Sequence, residues 1–375
     1  LPHSIHPYPA KFIPQIPKML IRELASAGDT ILDPFCGSGT TLIEALRLEC
    51  NAIGIDANPL ACLLSRAKST RVSKEESESL FDLANKMSTL SQQAYVGMLP
   101  EMSSFPIAIE RPDFNGVNDW FDQQVIDELA FIKDNCMLLN QGNVRDIALT
   151  AFSSIIVAVS RQDSDTRYVR REKNIKPGDA LQCFSRSLSQ ATRRVLELSE
   201  EVSSHLSIKV YEANILTPPE IDLVDLVVCS PPYPNAFSYH LYHRTRMLWL
   251  DMDQPKFKKE EIGSHRKYSS KGRNGATVDT FKKELHTILS WLTQVLRHNR
   301  HACFVMGDST LQGETIENDK VLIEIAESIG YTIEANFSRK LQSTKKYFNP
   351  SIGKIKDEHI IILRNTCGGS HNGKL

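Results

Sequence analysis

A glycine-containing turn between a short apolar segment and a helix-like segment is the feature that most constrains the fold of this chain. The turn reads D-P-F-C-G-S-G-T-T at positions 33–41, between the apolar residues 30–32 and the helix-like residues 42–46. Glycines in such a turn let the backbone approach a ligand closely, as in nucleotide-binding α/β folds. The pattern therefore predicts a strand, a cofactor-binding loop and a helix.

A second predicted strand, residues 52–55, ends at Asp56, which lies 17 residues after Gly39. This is close to the spacing at which an acidic residue receives ribose hydroxyls in doubly wound folds. The turn does not have the G-x-G-x-x-G pattern, and no Walker lysine follows it. A pocket for an adenosine without a pyrophosphate is therefore favoured over a phosphate cradle.

A rigid polar corner, Ser-Pro-Pro-Tyr at 230–233, follows the apolar run 223–229. The two prolines fix φ and have no N–H, so their carbonyl groups can face a ligand instead of pairing in a sheet. Ser230 adds a hydroxyl and Tyr233 adds a flat ring for stacking. The corner fits a planar base with an exocyclic amino group, although the same four residues also fit an ordinary loop after a strand.

Taken together, D-P-F-C-G-S-G-T, G-I-D at 54–56 and S-P-P-Y resemble the amino-group DNA methyltransferases that use S-adenosylmethionine. The opening segment, H-P-Y-P-A-K-F-I-P at 6–14, is similar to a cofactor-contacting motif of the same family. The resemblance implies a Rossmann-like class I methyltransferase fold with S-adenosyl-L-methionine as cofactor. It also implies double-stranded DNA as the substrate and a cognate restriction endonuclease as a candidate partner.

The resemblance gives each motif a role. The glycine turn would hold the methionine part of the cofactor, the acid after the second strand would bind the ribose, and the proline corner would hold the target amine. The expected catalytic residues are Ser230, Pro231, Pro232 and Tyr233. The expected cofactor-binding residues are Tyr8, Pro9, Ala10, Lys11, Asp33, Pro34, Phe35, Cys36, Gly37, Gly39, Thr40, Asp56, Ala57 and Asn214.

The hydrophobic pattern predicts an α/β fold whose catalytic domain is interrupted. Residues 1–69 and 206–365 show the α/β pattern, and residues 70–205 show helix-like apolar spacing that indicates a mostly helical insertion. The last strands, 331–340 and 359–363, are expected to pair as an antiparallel hairpin. Within the second part, the polar residues 251–279 are expected to form a mobile basic loop, and 366–375 a flexible tail.

The net charge of -1 argues against a uniformly cationic DNA-binding surface, so local clusters matter more. One cluster lies at 161–173 and a second at 256–273. We expect the second cluster to contact DNA, together with the predicted helix 239–250 before it. Both the basic loop and the helical insertion are candidates for base reading. The expected nucleic-acid-binding residues are Arg244, Arg246, Arg266, Lys267, Lys271 and Arg273.

The eight cysteines show no C-x-x-C pair and no zinc-like spacing with histidine, which predicts free, mostly buried thiols and no metal. No apolar run of about 18 residues occurs, as a transmembrane helix would need. No signal-peptide pattern appears at the start of the sequence. A cytoplasmic location is expected from these features.

The target base depends mainly on one residue. In the family that the chain resembles, serine before the prolines is frequent for cytosine N4, and aspartate or asparagine is more usual for adenine N6. Ser230 therefore favours cytosine, whereas the motif order and the long insertion depart from the order most common among cytosine-N4 enzymes. Adenine-N6 methylation, RNA guanine-N2 methylation and a non-catalytic DNA-binding subunit are the alternatives.

Overall fold

The protein is described here by a computed structural model that covers residues 1–97, 111–112, 114–234, 237–268, 275–311, 314–340 and 357–367. Eleven strands occur within these residues. In chain order they are β1 (Thr30–Asp33), β2 (Asn51–Asp56), β3 (Gln162–Ser164), β4 (Arg167–Arg170), β5 (Ile208–Glu212), β6 (Val224–Cys229), β7 (Leu296–Gly307), β8 (Ser309–Leu311), β9 (Glu314–Ile316), β10 (Tyr331–Lys340) and β11 (Asp357–Asn365).

Seven of these strands form the central sheet, in the order β10-β11-β7-β6-β1-β2-β5. Strands β5, β2, β1, β6 and β7 are parallel, and β11 pairs antiparallel with both β7 and β10. The inner strands are apolar because helices cover both faces of a parallel sheet. The predicted α/β class with a terminal antiparallel hairpin is confirmed.

The carboxyl ends of β1, β2 and β6 meet at one edge of the sheet. Strand β1 pairs with β2 on one side and with β6 on the other, so the chain order of the strands reverses beside β1. Ligands of open α/β sheets bind outside the carboxyl ends of the strands at such a reversal. The topology therefore brings the glycine turn and the proline corner to neighbouring positions.

Fourteen α-helices occur in the part of the chain that the structure describes. They are α1 (Gln15–Leu24), α2 (Thr40–Arg47), α3 (Pro59–Ser69), α4 (Lys74–Tyr95), α5 (Val117–Trp120), α6 (Gln123–Met137), α7 (Asn143–Ile156), α8 (Asp179–Glu201), α9 (Tyr239–Tyr242), α10 (Arg244–Trp249), α11 (Gln254–Glu260), α12 (His265–Tyr268), α13 (Val278–Val295) and α14 (Asn318–Ile329). None of these described helices is both long enough and apolar enough to cross a membrane.

The insertion consists of α4 to α8 and a small hairpin, β3–β4, which the helical pattern did not predict. Its apolar core includes Trp249 of α10, which has no exposed surface. The Trp249 ring meets Phe114, Phe121 and Phe152 edge-on, at centroid distances of 5.6 to 6.4 Å. The insertion therefore shares a core with the helices that follow the proline corner.

The interpretation of 251–279 as a loop is corrected by the structure. Helices α11 and α12 lie inside this range, and all four residues of 261–264 are buried. Residues 269–274 lie outside the described residues, as do 368–375 of the expected tail. Thr366, before that tail, donates its hydroxyl hydrogen to the Gly330 carbonyl at 2.7 Å.

Candidate cofactor and target site

The glycine turn after β1 is held by hydrogen bonds to the next strand and to α3. The Cys36 N–H donates to the Ile55 carbonyl at 3.0 Å, and the Ser65 hydroxyl donates to the Gly37 carbonyl at 2.9 Å. The Gly39 N–H closes the turn on the Cys36 carbonyl at 2.7 Å. The turn therefore has a fixed shape before any ligand binds, which favours close contact with a cofactor.

Both glycines of the turn are required by its geometry. Gly37 and Gly39 have φ values of +49° and +82°, in the left-handed region that other residues rarely adopt. A β-carbon on residue 39 would lie 3.0 Å from the Ser65 α-carbon, so α3 leaves no room for one. A β-carbon on residue 37 would instead point into the space beside the Tyr8 ring, 3.7 Å from Cε1.

Asp33 ends β1 and fixes the start of the turn. Its Oδ1 accepts a hydrogen bond from the Phe35 N–H at 3.0 Å. Burial raises the pKa of the Asp33 carboxyl to about 7, although hydrogen bonds from Thr41 and Phe35 oppose the shift. Of the other residues expected in this motif, Pro34, Cys36 and Thr40 are buried and Phe35 is partly exposed.

Asp56, at the end of β2, is hydrogen-bonded to the glycine turn. Its Oδ2 accepts the Gly37 N–H at 2.9 Å, and its Oδ1 accepts the Asn58 N–H at 2.8 Å. Burial raises the pKa of Asp56 to about 6, against the opposing effect of backbone N–H groups. At pH 7 and above the group is mostly ionised, so each oxygen keeps an acceptor position for a ligand hydroxyl.

Asn214 follows the end of β5, which pairs with the end of β2 at Asp56. The N–H of its neighbour Ala213 donates to the Asp56 carbonyl at 3.0 Å. The Asn214 side chain accepts the Leu216 N–H at 2.9 Å, so it turns the chain after β5. Ala57, Ala213 and Asn214 are partly exposed at this end of β2 and β5.

The opening segment lies over the glycine turn and is closed by aromatic contacts. Tyr8 stacks on Tyr239 at a centroid distance of 5.6 Å and meets the His243 ring at 5.0 Å. Lys11 does not point at this space: its amino group donates to the His3 and His6 carbonyls at 3.0 and 2.7 Å. Lys11 therefore holds the opening segment together, while Pro9 is buried and Ala10 is exposed.

The proline corner leaves β6 next to the glycine turn. Leu226 and Val227 of β6 pair with Ile31 and Leu32 of β1, so both motifs start from the same edge of the sheet. Ser230 and Tyr233 are partly exposed. Burial, with the Glu358 carboxylate nearby, raises the pKa of Tyr233 to about 12, so the ring stays neutral at physiological pH. The corner can therefore present a hydroxyl, proline carbonyls and a neutral aromatic face.

A buried segment, Glu261 to Ser264, covers the corner, although it lies within the range 251–279 that was expected to be a mobile loop. A β-carbon on Gly263 would lie 2.7 Å from the Tyr233 carbonyl oxygen, and Gly263 has φ +73°. The Glu261 carboxylate holds the segment by contacting the His240 ring at 2.5 Å and accepting the His240 N–H at 3.2 Å. The glycine within a polar stretch was the available signal of a close backbone approach.

The residues expected to contact DNA fall into three groups. Arg244 and Arg266 are exposed, and Lys267 is partly exposed but contacts Glu284 at 2.6 Å. Arg246 has no exposed surface: its Nε donates to the Ser153 carbonyl at 2.9 Å and its guanidinium pairs with Asp165. The prediction of a DNA contact is therefore wrong for Arg246, and Lys271 and Arg273 lie outside the described residues.

Two cysteines at the site are protonated, and an acidic cluster lies outside the site. Burial raises the pKa of the Cys36 and Cys229 thiols well above the usual range, so both stay protonated packing groups. Asp308, Asp319 and His359 place their ligand atoms within 4.8 Å of one another. His359 lies 3.5 Å from Asp319 and 3.7 Å from Asp308, which links β11 to α14 and to the end of β7.

Two buried histidines predict a loss of stability at acid pH. Burial, then nearby Arg246, lowers the pKa of His6 and of His243 well below 6.5. Below pH 6.5 the unfolded chain therefore binds protons that the native state does not, and the free energy of unfolding falls. Each histidine contributes up to about 1.4 kcal/mol per pH unit between 6.5 and its native-state pKa.

We expect His6→Gln to reduce this acid loss, measured as the free energy of urea unfolding at pH 7.5, 6.5 and 5.5. The difference from wild type isolates the histidine, because the raised pKa values of Asp33 and Asp56 act in the opposite direction in both proteins. His205→Gln, at an exposed histidine, is the matched control. Equal pH dependence in His6→Gln and wild type would exclude His6 as an origin of the acid loss.

Residues 2–66 of the chain match the family model described as DNA methylase. The chain is 26% identical over 270 residues to Type II methyltransferase M.MvaI of Kocuria varians, covering 67% of this chain and 58% of that protein. It is 26% identical over 288 residues to Type II methyltransferase M.BsoBI of Geobacillus stearothermophilus, covering 68% and 54%. The chain thus spans little more than half the length of these relatives.

A solved structure of TrmN from Thermus thermophilus aligns with a TM-score of 0.37 and 9% identity, covering 94% of this chain and 49% of that one. The family match and the two relatives confirm the resemblance to amino-group DNA methyltransferases. S-adenosyl-L-methionine, the expected cofactor, is the methyl donor of that family.

The residues around the glycine turn fit this cofactor. Each Asp56 oxygen accepts one backbone N–H and retains an acceptor position, which suits the two ribose hydroxyls. The missing β-carbon of Gly37 leaves space between the turn and Tyr8, and Gly37 and Ala57 are partly exposed beside it. The turn and the opening segment would hold the methionine part, and the ends of β2 and β5 would hold the adenosine.

Proposed function

We propose that this protein transfers a methyl group from S-adenosyl-L-methionine to the exocyclic N4 amine of a flipped cytosine in double-stranded DNA. The observation that carries the proposal is the position of the Ser-Pro-Pro-Tyr corner beside the glycine turn, on the paired strands β6 and β1. A site for a planar amine and a site for the methyl donor thus share one edge of the sheet. Methyl transfer requires the amine and the methyl donor to be held next to each other.

The corner supplies the interactions that an exocyclic amine requires. Its nitrogen is a poor nucleophile because the lone pair is delocalised into the base ring. We assign the Ser230 hydroxyl and the Pro231 carbonyl as acceptors of hydrogen bonds from the amino hydrogens, which favours a more tetrahedral nitrogen. The bound cofactor supplies an electrophilic methyl group. Catalysis by this chain would then consist of positioning and electrostatic complementarity.

The surroundings of the corner support the same role. Tyr233 is neutral and partly exposed, so its ring can stack on the base. The segment from Glu261 to Ser264 is buried, and Gly263 lies against the backbone of the corner. The target base must leave the duplex to reach this position, because a stacked base cannot enter a corner at the edge of a sheet.

The choice of cytosine rests on Ser230. Serine before the prolines is frequent among the cytosine-N4 members of the family that the chain resembles. The proposal of a partner restriction endonuclease rests on the names of the relatives, both of which are Type II methyltransferases.

Incubation of unmodified plasmid DNA with the protein and S-adenosyl-L-methionine tests this function. Nucleoside mass spectrometry of the digested DNA identifies the modified base, and single-molecule sequencing gives its position and sequence context. We expect N4-methylcytosine at one recurring sequence. N6-methyladenine would contradict the assignment of the base, and cofactor binding with no modified DNA would contradict the assignment of the reaction. Transfer RNA, incubated in parallel, tests guanine-N2 methylation.

A further inference from the structure

We infer that the hairpin β3–β4 is the element with which this protein reads the DNA sequence, through Arg167 and Arg171 held in position by Asp163. The inference rests on the proposed function, because it assumes that the protein acts on duplex DNA. The hairpin joins its strands through Asp165 and Thr166, with the pairs Gln162–Arg170 and Ser164–Arg167. A two-stranded ribbon of this kind fits the major groove, where base edges can be distinguished.

One face of β4 is exposed at each of its positions. Side chains alternate along a strand, so Arg167, Val169 and Arg171 point to one side, and Tyr168 and Arg170 to the other. The side chains of Arg167 and Arg171 are 58% and 73% exposed, and Val169 is 47% exposed. On the opposite face, the Tyr168 ring packs on Trp120 of the insertion at a centroid distance of 4.4 Å, and Arg170, 61% exposed, lies 3.7 Å from Asp119. The first face is therefore available to a ligand.

Asp163 orients the two arginines on that face. Its Oδ2 lies 3.1 Å from Arg167 Nη1, and its Oδ1 lies 3.5 Å from Arg171 Nη1. The Asp163 side chain is itself only 13% exposed, so it is held under the arginines. Each guanidinium keeps further N–H donors for a ligand, and the usual target of such a group in DNA is the O6 and N7 pair of guanine.

Buried polar bonds attach the base of the hairpin to the helices that follow the proline corner. Gln162 has no exposed surface, and its side chain donates to the Tyr242 carbonyl at 3.3 Å and accepts from the Thr245 hydroxyl at 2.8 Å. Arg246, fully buried in α10, pairs with Asp165 of the turn. The hairpin is therefore fixed relative to the corner, as a reader must be if one base of its sequence is to be methylated.

The surface between the hairpin and the corner is also suited to DNA. Arg244 is exposed on α10, and Phe237, 40% exposed, meets the Tyr242 ring edge-on at 6.0 Å. The exposed Arg266 lies nearby, because its N–H donates to the Ser238 hydroxyl at 3.3 Å. Arginines and aromatic rings on one surface fit phosphates and an unstacked base. Exposed arginines thus lie both on the hairpin and on the helices that follow the target corner.

The test measures sequence discrimination. Wild type, Arg167→Gln and Arg171→Gln are incubated with a pool of randomised duplexes, and methylation at every sequence is read by sequencing. We expect each variant to lose about 10-fold or more of the preference for the best sequence over its single mismatches, at a guanine position. Affinity for S-adenosyl-L-methionine, measured by calorimetry, should not change. Arg193→Gln, an exposed arginine on α8, is the matched control and should keep the wild-type preference.

Asp163→Asn is a second variant that keeps both arginines. We expect it to broaden the methylated sequences while DNA affinity stays the same or rises, because a carboxylate is removed. If the arginine variants and Asp163→Asn all methylate the wild-type set of sequences, the hairpin is not the reader, and the proposed function stands. If wild type modifies no duplex, the proposed function fails, and the inference fails with it.

Discussion

Replacing Ser230 by alanine is expected to lower the rate of methyl transfer by about 100-fold or more, since removing one positioned hydrogen-bonding group at a reacting centre costs about 100- to 1,000-fold. Ser230 directly follows β6, next to the glycine turn that follows β1, and it is partly exposed at the corner. Without it, the amine loses an acceptor that the Pro231 carbonyl alone does not replace. The affinity for S-adenosyl-L-methionine should not change, because the groups assigned to the cofactor lie on β1, β2, β5 and the opening segment.

Single-turnover methylation of duplex DNA measures the rate, and calorimetry measures cofactor affinity on the same protein. Ser79→Ala, at an exposed serine of α4, is a matched control that should leave both unchanged. Ser230→Thr keeps the hydroxyl and should retain more activity than Ser230→Ala. Equal losses of rate and of cofactor affinity in Ser230→Ala would mean that Ser230 supports the cofactor pocket, and the catalytic assignment would then be wrong.

Local signals were sufficient for the strands that carry the site. The apolar runs of β1 and β6 are buried because neighbouring strands and helices cover both of their faces, and each run ends at the motif that marks the ligand edge. The position of Asp56 at this edge could be expected from spacing because β2 pairs with β1 in register, with Asp33 opposite Gly54. These predictions depend on residues close in sequence and on the rule that ligands bind at the carboxyl ends of parallel strands.

The hairpin β3–β4 could not be predicted in the same way. Its strands have three and four residues, and most of their side chains are polar. The bonds that hold it come from Tyr242, Thr245 and Arg246, about 80 residues further along the chain. The sequence of the hairpin does not reveal partners that lie so far along the chain. Its hydrophobic pattern therefore predicted only helices.

The mistaken assignment of Arg246 has the same physical cause. Arg244 and Arg246 both lie in a polar stretch after the corner, and only the packing of the insertion on α10 separates them. Arg244 stays exposed, whereas Arg246 is covered and satisfied by Ser153 and Asp165.

Replacing Asp56 by alanine is expected to weaken binding of S-adenosyl-L-methionine by about 30- to 150-fold, equal to about 2–3 kcal/mol for the loss of charge-assisted hydrogen bonds to the ribose. The variant also leaves the N–H groups of Gly37 and Asn58 without the acceptors that shape the glycine turn. Calorimetry of the two proteins at pH 8 measures the loss. Asp222→Ala, at an exposed carboxylate before β6, removes the same charge and should bind normally.

The pH dependence of binding separates the two roles of Asp56. The pKa of its carboxyl is raised to about 6, so protonation below that pH removes the acceptors that the ribose needs. Wild-type affinity should therefore fall as the pH drops from 7.5 to 5, approaching 10-fold per pH unit below 6. Asp56→Ala should lack this part of the decline, because no group titrates at that position. A wild-type affinity that is constant across pH 6, or an equal decline in Asp56→Ala and wild type, would show that the carboxylate shapes the turn without binding the cofactor itself.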